Sequence, residues 1–162
     1  MDRSLREPLD ELQAVRAVCE GDSADAQHIV DHLYETVPHY SWVGIYVLEG
    51  ADLVLGPWRG PQATEHVRIP VGTGVCGAAA ASGETEIVDD VNSDPRYLAC
   101  FAATRSEIVV PIHFAETVIG EIDIDSDQPN AFDRRDQSFL EQVAVLLAPA
   151  TRELQNSLST GA

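Results

Sequence analysis

The sequence predicts an α+β fold, and three observations carry that prediction. Helical periodicity marks both ends of the chain, over residues 8 to about 36 and again over 132–158. Between them lie about six short runs rich in β-branched and aromatic residues, broken by turn residues. The last two runs, 106–114 and 117–125, place apolar residues on one face by alternation, the mark of a sheet with a covered side.

Each element has its local reason. Pro8 suits a first helical turn, and Leu9, Leu12, Val15 and Val18 recur at helical spacing. Asp22 or Ser23 can cap a second stretch that buries Ile29, Val30, Leu33 and Val37 and stops before Pro38. From Tyr40 to Leu48 the period becomes that of a strand, and Glu49-Gly50 followed by Leu53-Val54-Leu55 reads as a hairpin. His66 to Ile69 and Glu86 to Val88 are short strands. Between these two, the glycine loop from Gly72 to Gly77 feeds a short helix over Ala78 to Ala81, stopped by Gly83. The stretch from Asp90 to Thr104 holds Asp94-Pro95 and no sustained period, so an irregular loop is expected. Asp133 caps the closing helix, whose stripe is Phe139, Val143, Leu146 and Leu147.

Composition narrows the function classes. With 162 residues, 44% of them hydrophobic, the chain is long enough for one domain with a real core and short for two. No apolar run approaches a membrane span, and the polar N-terminus lacks a signal peptide's apolar stretch, so a cytoplasmic protein without membrane contact is expected. A formal net charge of -17 excludes nucleic acid as a partner, because phosphates would be repelled. All ten basic residues are arginine. Such an acidic, lysine-free chain reads as a halophilic-type protein, or as an ordinary acidic protein from a GC-rich genome; either way a lone acid carries little functional weight. Three cysteines make no disulfide framework, and no close-spaced Cys or His pairs suggest zinc, so a structural metal site is not expected.

Strand parity sorts the side chains that remain. Ile108, Val110, Ile112 and Phe114 share a face with Val118, Ile122 and Ile124, and this face should pack on the terminal helices. The other face gathers Glu107, Val109, Pro111 and His113 with Ile119, Glu121, Asp123 and Asp125. A two-residue turn at Ala115-Glu116 would set Glu107 against Ile124 and scramble the faces. An odd turn, or a bulge, sets Glu107 beside Asp125; the hydrophobic pattern favours the odd turn. Trp42, Gly44 and Tyr46 share one face of the first strand, where two rings separated by glycine could wall a pocket or merely pack. Cys76 and Cys100 complete a set of thiols and acids on loop and strand. Thiols serve redox or nucleophilic chemistry, and clustered acids bind cations or move protons. Read alone, Cys100 is as well explained as a small buried hydrophobe, Cys76 as a packing residue, and Glu121 as salt adaptation.

At these residues the chain closely resembles the free methionine-(R)-sulfoxide reductases, which are built on a single GAF domain. The matching segments are Trp42-Val43-Gly44-Ile45-Tyr46, Leu55-Gly56-Pro57, Arg68-Ile69-Pro70, the loop Gly72-Thr73-Gly74-Val75-Cys76-Gly77, Leu98-Ala99-Cys100, Arg105 through Pro111, and Asp123-Ile124-Asp125-Ser126. They run in the family's order and cover roughly residues 40–145. The resemblance implies one GAF domain over 1–162, with a central antiparallel sheet, helices on both faces, and the terminal helices packed on one of them. It implies reduction of free L-methionine-(R)-sulfoxide by a cysteine thiolate through a sulfenic acid, with a thioredoxin-like dithiol as reductant; a homodimer is left open. By the same resemblance Cys100 matches the catalytic cysteine and Cys76 a further family cysteine. Glu107, Asp123 and Asp125 match the pocket carboxylates, and Trp42 and Tyr46 the pocket aromatics. The chain departs from the pattern where His66 occupies the usual resolving-cysteine position, Glu121 replaces an apolar residue, and Thr73 stands where lysine is common. The alternative reading is a non-catalytic GAF module that binds a small ligand or senses redox state.

Overall fold

The N-terminal periodicity forms two helices because its apolar stripe is interrupted between Val18 and Ala26. In the computed structural model, which describes residues 8–98 and 101–160, α1 spans Pro8–Ala17 and α2 spans Asp25–Thr36. Leu12 and Val15 of α1 enter one core with Ala26, Ile29, Val30 and Leu33 of α2. The cap expected from Asp22 or Ser23 is not made: Ala24 precedes α2 and no side chain caps it. Asp25, already inside the helix, instead reaches back to accept from the backbone N–H of Glu20 at 2.5 Å and Gly21 at 2.9 Å, tying down the link between the helices.

Six strands follow: β1 (Trp42–Glu49), β2 (Asp52–Arg59), β3 (Arg68–Pro70), β4 (Glu86–Val88), β5 (Ser106–Phe114) and β6 (Thr117–Ser126). They form one antiparallel sheet in the order β3-β2-β1-β6-β5-β4. The strand expected at His66 begins instead at Arg68, because the chain bends at 65–67, where the Val67 N–H bonds the Glu65 carbonyl at 3.0 Å.

The last hairpin reaches the expected register by the other of the two routes. Glu107 pairs with Asp125 and Ile108 with Ile124. The turn is the even one, Ala115-Glu116, with both residues left-handed at φ 50° and 69°. A bulge near Ile112/His113 restores the register: Ile112 opposes Gly120, and His113 opposes Val118. Ile119 is the extra residue. It turns into the helix-side core, not onto the acid face where simple alternation placed it.

The apolar face, carrying Val43, Ile45, Val47, Ile108, Val110, Ile122 and Ile124, packs with α1, α2 and α4 (Arg134–Thr160). Asp133 caps α4 as expected: its Oδ1 accepts from the N–H groups of Arg135 at 2.9 Å and Asp136 at 3.1 Å. Asp136 Oδ2 accepts in return from the Asp133 N–H at 3.1 Å, a reciprocal box. The opposite sheet face is covered by α3 (Gly74–Ser82) and the segment after β4, through Val75, Cys76, Ala79, Val91, Tyr97 and Leu98. α3 starts four residues earlier than the sequence suggests and ends at Gly83, left-handed at φ 71°. That early start carries Cys76 into the first turn of the helix. No helix among the described residues is long and apolar enough to cross a membrane.

Candidate active site

Alternation and register together build the site on the face beneath α3. Across β1 and β6, Trp42 opposes Asp125, Gly44 opposes Asp123 and Tyr46 opposes Glu121. Across β5 and β6, Glu107 opposes Asp125 and Val109 opposes Asp123. Four carboxyl groups therefore crowd the middle of the sheet, and all are buried: Glu107 is 3% exposed, Asp123 and Asp125 2%, and Glu121 0%. α3 lowers Cys76 onto them, so that one donor atom each of Cys76, Glu107 and Asp123 lie within 4.8 Å of one another. This close approach needs a glycine after the cysteine: a Cβ at Gly77 would sit 2.8 Å from the Pro70 carbonyl.

One wall is aromatic. The Trp42 indole lies across Gly44 of its own strand and Gly60 just after β2, where a Cβ at either glycine would come within 2.3 Å of a ring carbon. Trp58 stacks on it at 6.1 Å and 12°, and Phe101 leans against it at 5.8 Å and 44°. The Trp42 Nε1–H is buried and has no acceptor among the described residues. Tyr46 is fully buried and donates its hydroxyl to the His66 carbonyl at 2.6 Å, holding the chain before β3 against the site. A surface groove of about 500 Å³ between the Gly83 turn and α4 contains none of these side chains.

Taking so many acids out of water favours their neutral forms. Burial pushes the Glu121 carboxyl well above the usual carboxylate range, and the Asp123 charge adds to it. Asp125 is likewise raised well above its range by burial and then by Asp123, opposed by its contact with Glu107 and by a weak bond from Thr104 Oγ1 at 3.3 Å. Asp123 is raised by burial, opposed by contacts with Glu107 and Cys76 and by the nearby His66. Burial also lifts the Cys76 thiol well above its ordinary value, reinforced by Asp123 and the other three acids. Cys76 is therefore a thiol at neutral pH.

These shifts have a measurable consequence for stability. The carboxyls titrate near pH ~4 when unfolded and higher when folded. Their contribution is thus full below pH ~4 and is lost as pH rises through the folded values. Each carboxyl that keeps its proton in the fold costs about 1.4 kcal/mol of stability per pH unit across that interval. In molar salt, which screens the surface charge, the melting temperature should fall between pH ~5 and ~8, and Glu121→Gln should flatten that fall. An identical slope in Glu121→Gln would mean that Glu121 is ionised in the folded protein.

Of the residues expected from the sequence, Cys76, Glu107, Asp123, Asp125, Trp42 and Tyr46 all lie on this one face. Cys100 lies outside the described residues. Its described neighbours pack at the site: Leu98 against Gly74 at the start of α3, and Phe101 on Trp42. Glu121 is the residue that sequence reasoning set aside as a solvated acid, and it is the most deeply buried of the four. Its odd position, in phase with Asp123 and Asp125, was the available signal.

The GAF domain family matches residues 24–150. The free methionine-R-sulfoxide reductase of Escherichia coli is 43% identical over 115 residues, covering 71% of this chain and 68% of that one. The chain belongs to the free methionine-R-sulfoxide reductase family of GAF proteins. Solved structures of the family superpose over nearly the whole length. The enzyme from Neisseria meningitidis, in complex with its substrate, is 36% identical with a TM-score of 0.82, covering 97% of this chain and 95% of that one. The type II free methionine-R-sulfoxide reductase from Thermoplasma acidophilum is 41% identical with a TM-score of 0.78, covering 88% and 95%.

Proposed function

We propose that this chain reduces free L-methionine-(R)-sulfoxide to methionine, with Cys100 as the attacking thiol. The observation that supports this most is the closed acid cluster beside Trp42. Among the described residues, Asp123 Oδ1, Asp125 Oδ1 and both oxygens of Glu121 are buried without a hydrogen-bond partner. Such a cluster suits a cation: the ammonium of a free amino acid would offer donors to the unpaired oxygens and favour ionisation of the carboxyls it meets. The Trp42 face offers an apolar surface for the methyl end, and its unused Nε1–H a donor for an oxygen.

The chemistry divides among named groups. The Cys100 thiolate attacks the sulfoxide sulfur. As the S–O bond breaks, a carboxyl that has kept its proton supplies it, and the oxygen ends on Cys100 as a sulfenic acid while methionine leaves. The Cys76 thiol then condenses with the sulfenic acid, releasing water and forming a disulfide. Because burial keeps that thiol protonated, Asp123 or Glu107 takes its proton. His66 stands at the usual resolving position and cannot form a disulfide, so the sulfenic acid meets either Cys76 or an external thiol, and we assign the step to Cys76. A thioredoxin-like dithiol of the cytoplasm restores both thiols.

The experiment is consumption of each sulfoxide epimer, free and peptide-bound, with dithiothreitol at high salt. Turnover of the free R form alone is expected, because a peptide bond would remove the charge that the acids hold. Equal turnover of peptide-bound substrate would overturn the reading. Binding of the free sulfoxide without turnover would favour the ligand-binding module.

A further inference from the structure

The sequence offered no spaced ligand pairs, yet the fold assembles a donor set of another kind. Cys76 comes from a helix, Glu107 from β5 and Asp123 from β6, and their donor atoms lie within 4.8 Å of one another, all buried. Around a tetrahedral zinc ion, thiolate and carboxylate donors stand roughly 3.3–3.7 Å apart, so a contraction of about 1 Å would close the site. A second observation points the same way. Glu121 is fully buried against the Cys76 thiol, and among the described residues neither of its oxygens has a partner at hydrogen-bond geometry. Asp123 Oδ1 is orphaned as well. A site with one soft donor, hard oxygens and surplus buried acid suits a borderline cation better than calcium or magnesium, which take oxygen ligands alone.

We propose that the reduced protein binds one zinc-type divalent cation through the Cys76 thiolate and the carboxylates of Glu107 and Asp123, with a fourth position open. Coordination displaces the thiol proton to solvent. It occupies the acids and ties up Cys76, so the ion competes with any ammonium-bearing ligand and blocks disulfide formation at that thiol. The site rests on the donor geometry and not on the proposed reaction, and it is tested without turnover.

Reduced, metal-free protein is titrated with zinc against a chromophoric chelator, and separately with cobalt as a spectroscopic probe. One-to-one binding is expected, with a cobalt–thiolate charge-transfer band and the visible bands of a tetrahedral ion. Cys76→Ser should lose the charge-transfer band and at least tenfold in zinc affinity, and Asp123→Asn at least tenfold in affinity. Cys100→Ser should keep both. Absence of a thiolate band in wild-type protein would overturn the proposal, as would equal zinc affinity in wild type and Cys76→Ser. Since the wild-type spectrum decides the first point, the test survives a variant that fails to fold. Loss of turnover in the epimer assay, with zinc binding intact, would sink the reductase reading and leave this one standing.

Discussion

Cys100→Ser is expected to lower turnover of free L-methionine-(R)-sulfoxide by about three orders of magnitude or more, because a hydroxyl is a poor nucleophile toward sulfur and cannot form a sulfenic acid. Circular dichroism and the melting temperature should stay at wild-type values, since the change replaces one atom. Cys76→Ser should behave differently. Its first turnover should still release methionine, because the attacking thiol remains. Repeated turnover with a thioredoxin-type donor should fall, and dithiothreitol should restore it by reducing the sulfenic acid directly. Oxidising the wild type with substrate, blocking free thiols and mapping bridges by mass spectrometry tests the same step. A Cys76–Cys100 bridge requires Cα atoms within about 7 Å. Wild-type turnover by Cys100→Ser would refute the nucleophile, and Cys76 recovered freely alkylated would refute its resolving role.

How much of this was legible before the fold was known depends on which force sets each feature. The strands at 106–114 and 117–125 and the cap of α4 at Asp133 follow from local patterns, alternation in one case and side-chain hydrogen bonding in the other. The pairing of Glu107 with Asp125 followed from requiring the apolar residues to share a face. The device that achieves it did not. A two-residue turn with two left-handed non-glycine residues is locally unfavourable, and the sheet tolerates it because a bulge preserves burial of Ile122 and Ile124. The start of α3 was misplaced because glycines at 74 and 77 argue for a loop, whereas the close approach to the Pro70 carbonyl makes Gly77 a packing requirement. Glu121 was misread for a related reason. In a chain so rich in acid, charge alone cannot separate a solvated residue from a buried one, and only its phase with Asp123 does so.

That phase leads to the second large effect. Glu107→Gln, Asp123→Asn and Asp125→Asn should each lower kcat/KM for the free sulfoxide at least tenfold, since a hydrogen bond to a charged group is worth about 1.5–3 kcal/mol. Glu121→Gln now belongs with them, because a fully buried carboxyl facing the Cys76 thiol cannot be a solvation feature. The four need not fail in the same way. A carboxylate that holds the ammonium contributes to ground state and transition state alike, so its loss should fall chiefly on KM. A carboxyl that delivers the proton acts only as the S–O bond breaks, so its loss should fall on kcat and remove the high-pH limb of the kcat profile, where the wild-type donor is deprotonated. Asp125 and Glu121, both held well above the carboxylate range by burial, are the candidates for that second pattern. Steady-state kinetics across pH, at fixed high salt, assigns each residue to one pattern or the other. Near-wild-type kinetics in all four variants would separate the acid cluster from the reaction altogether.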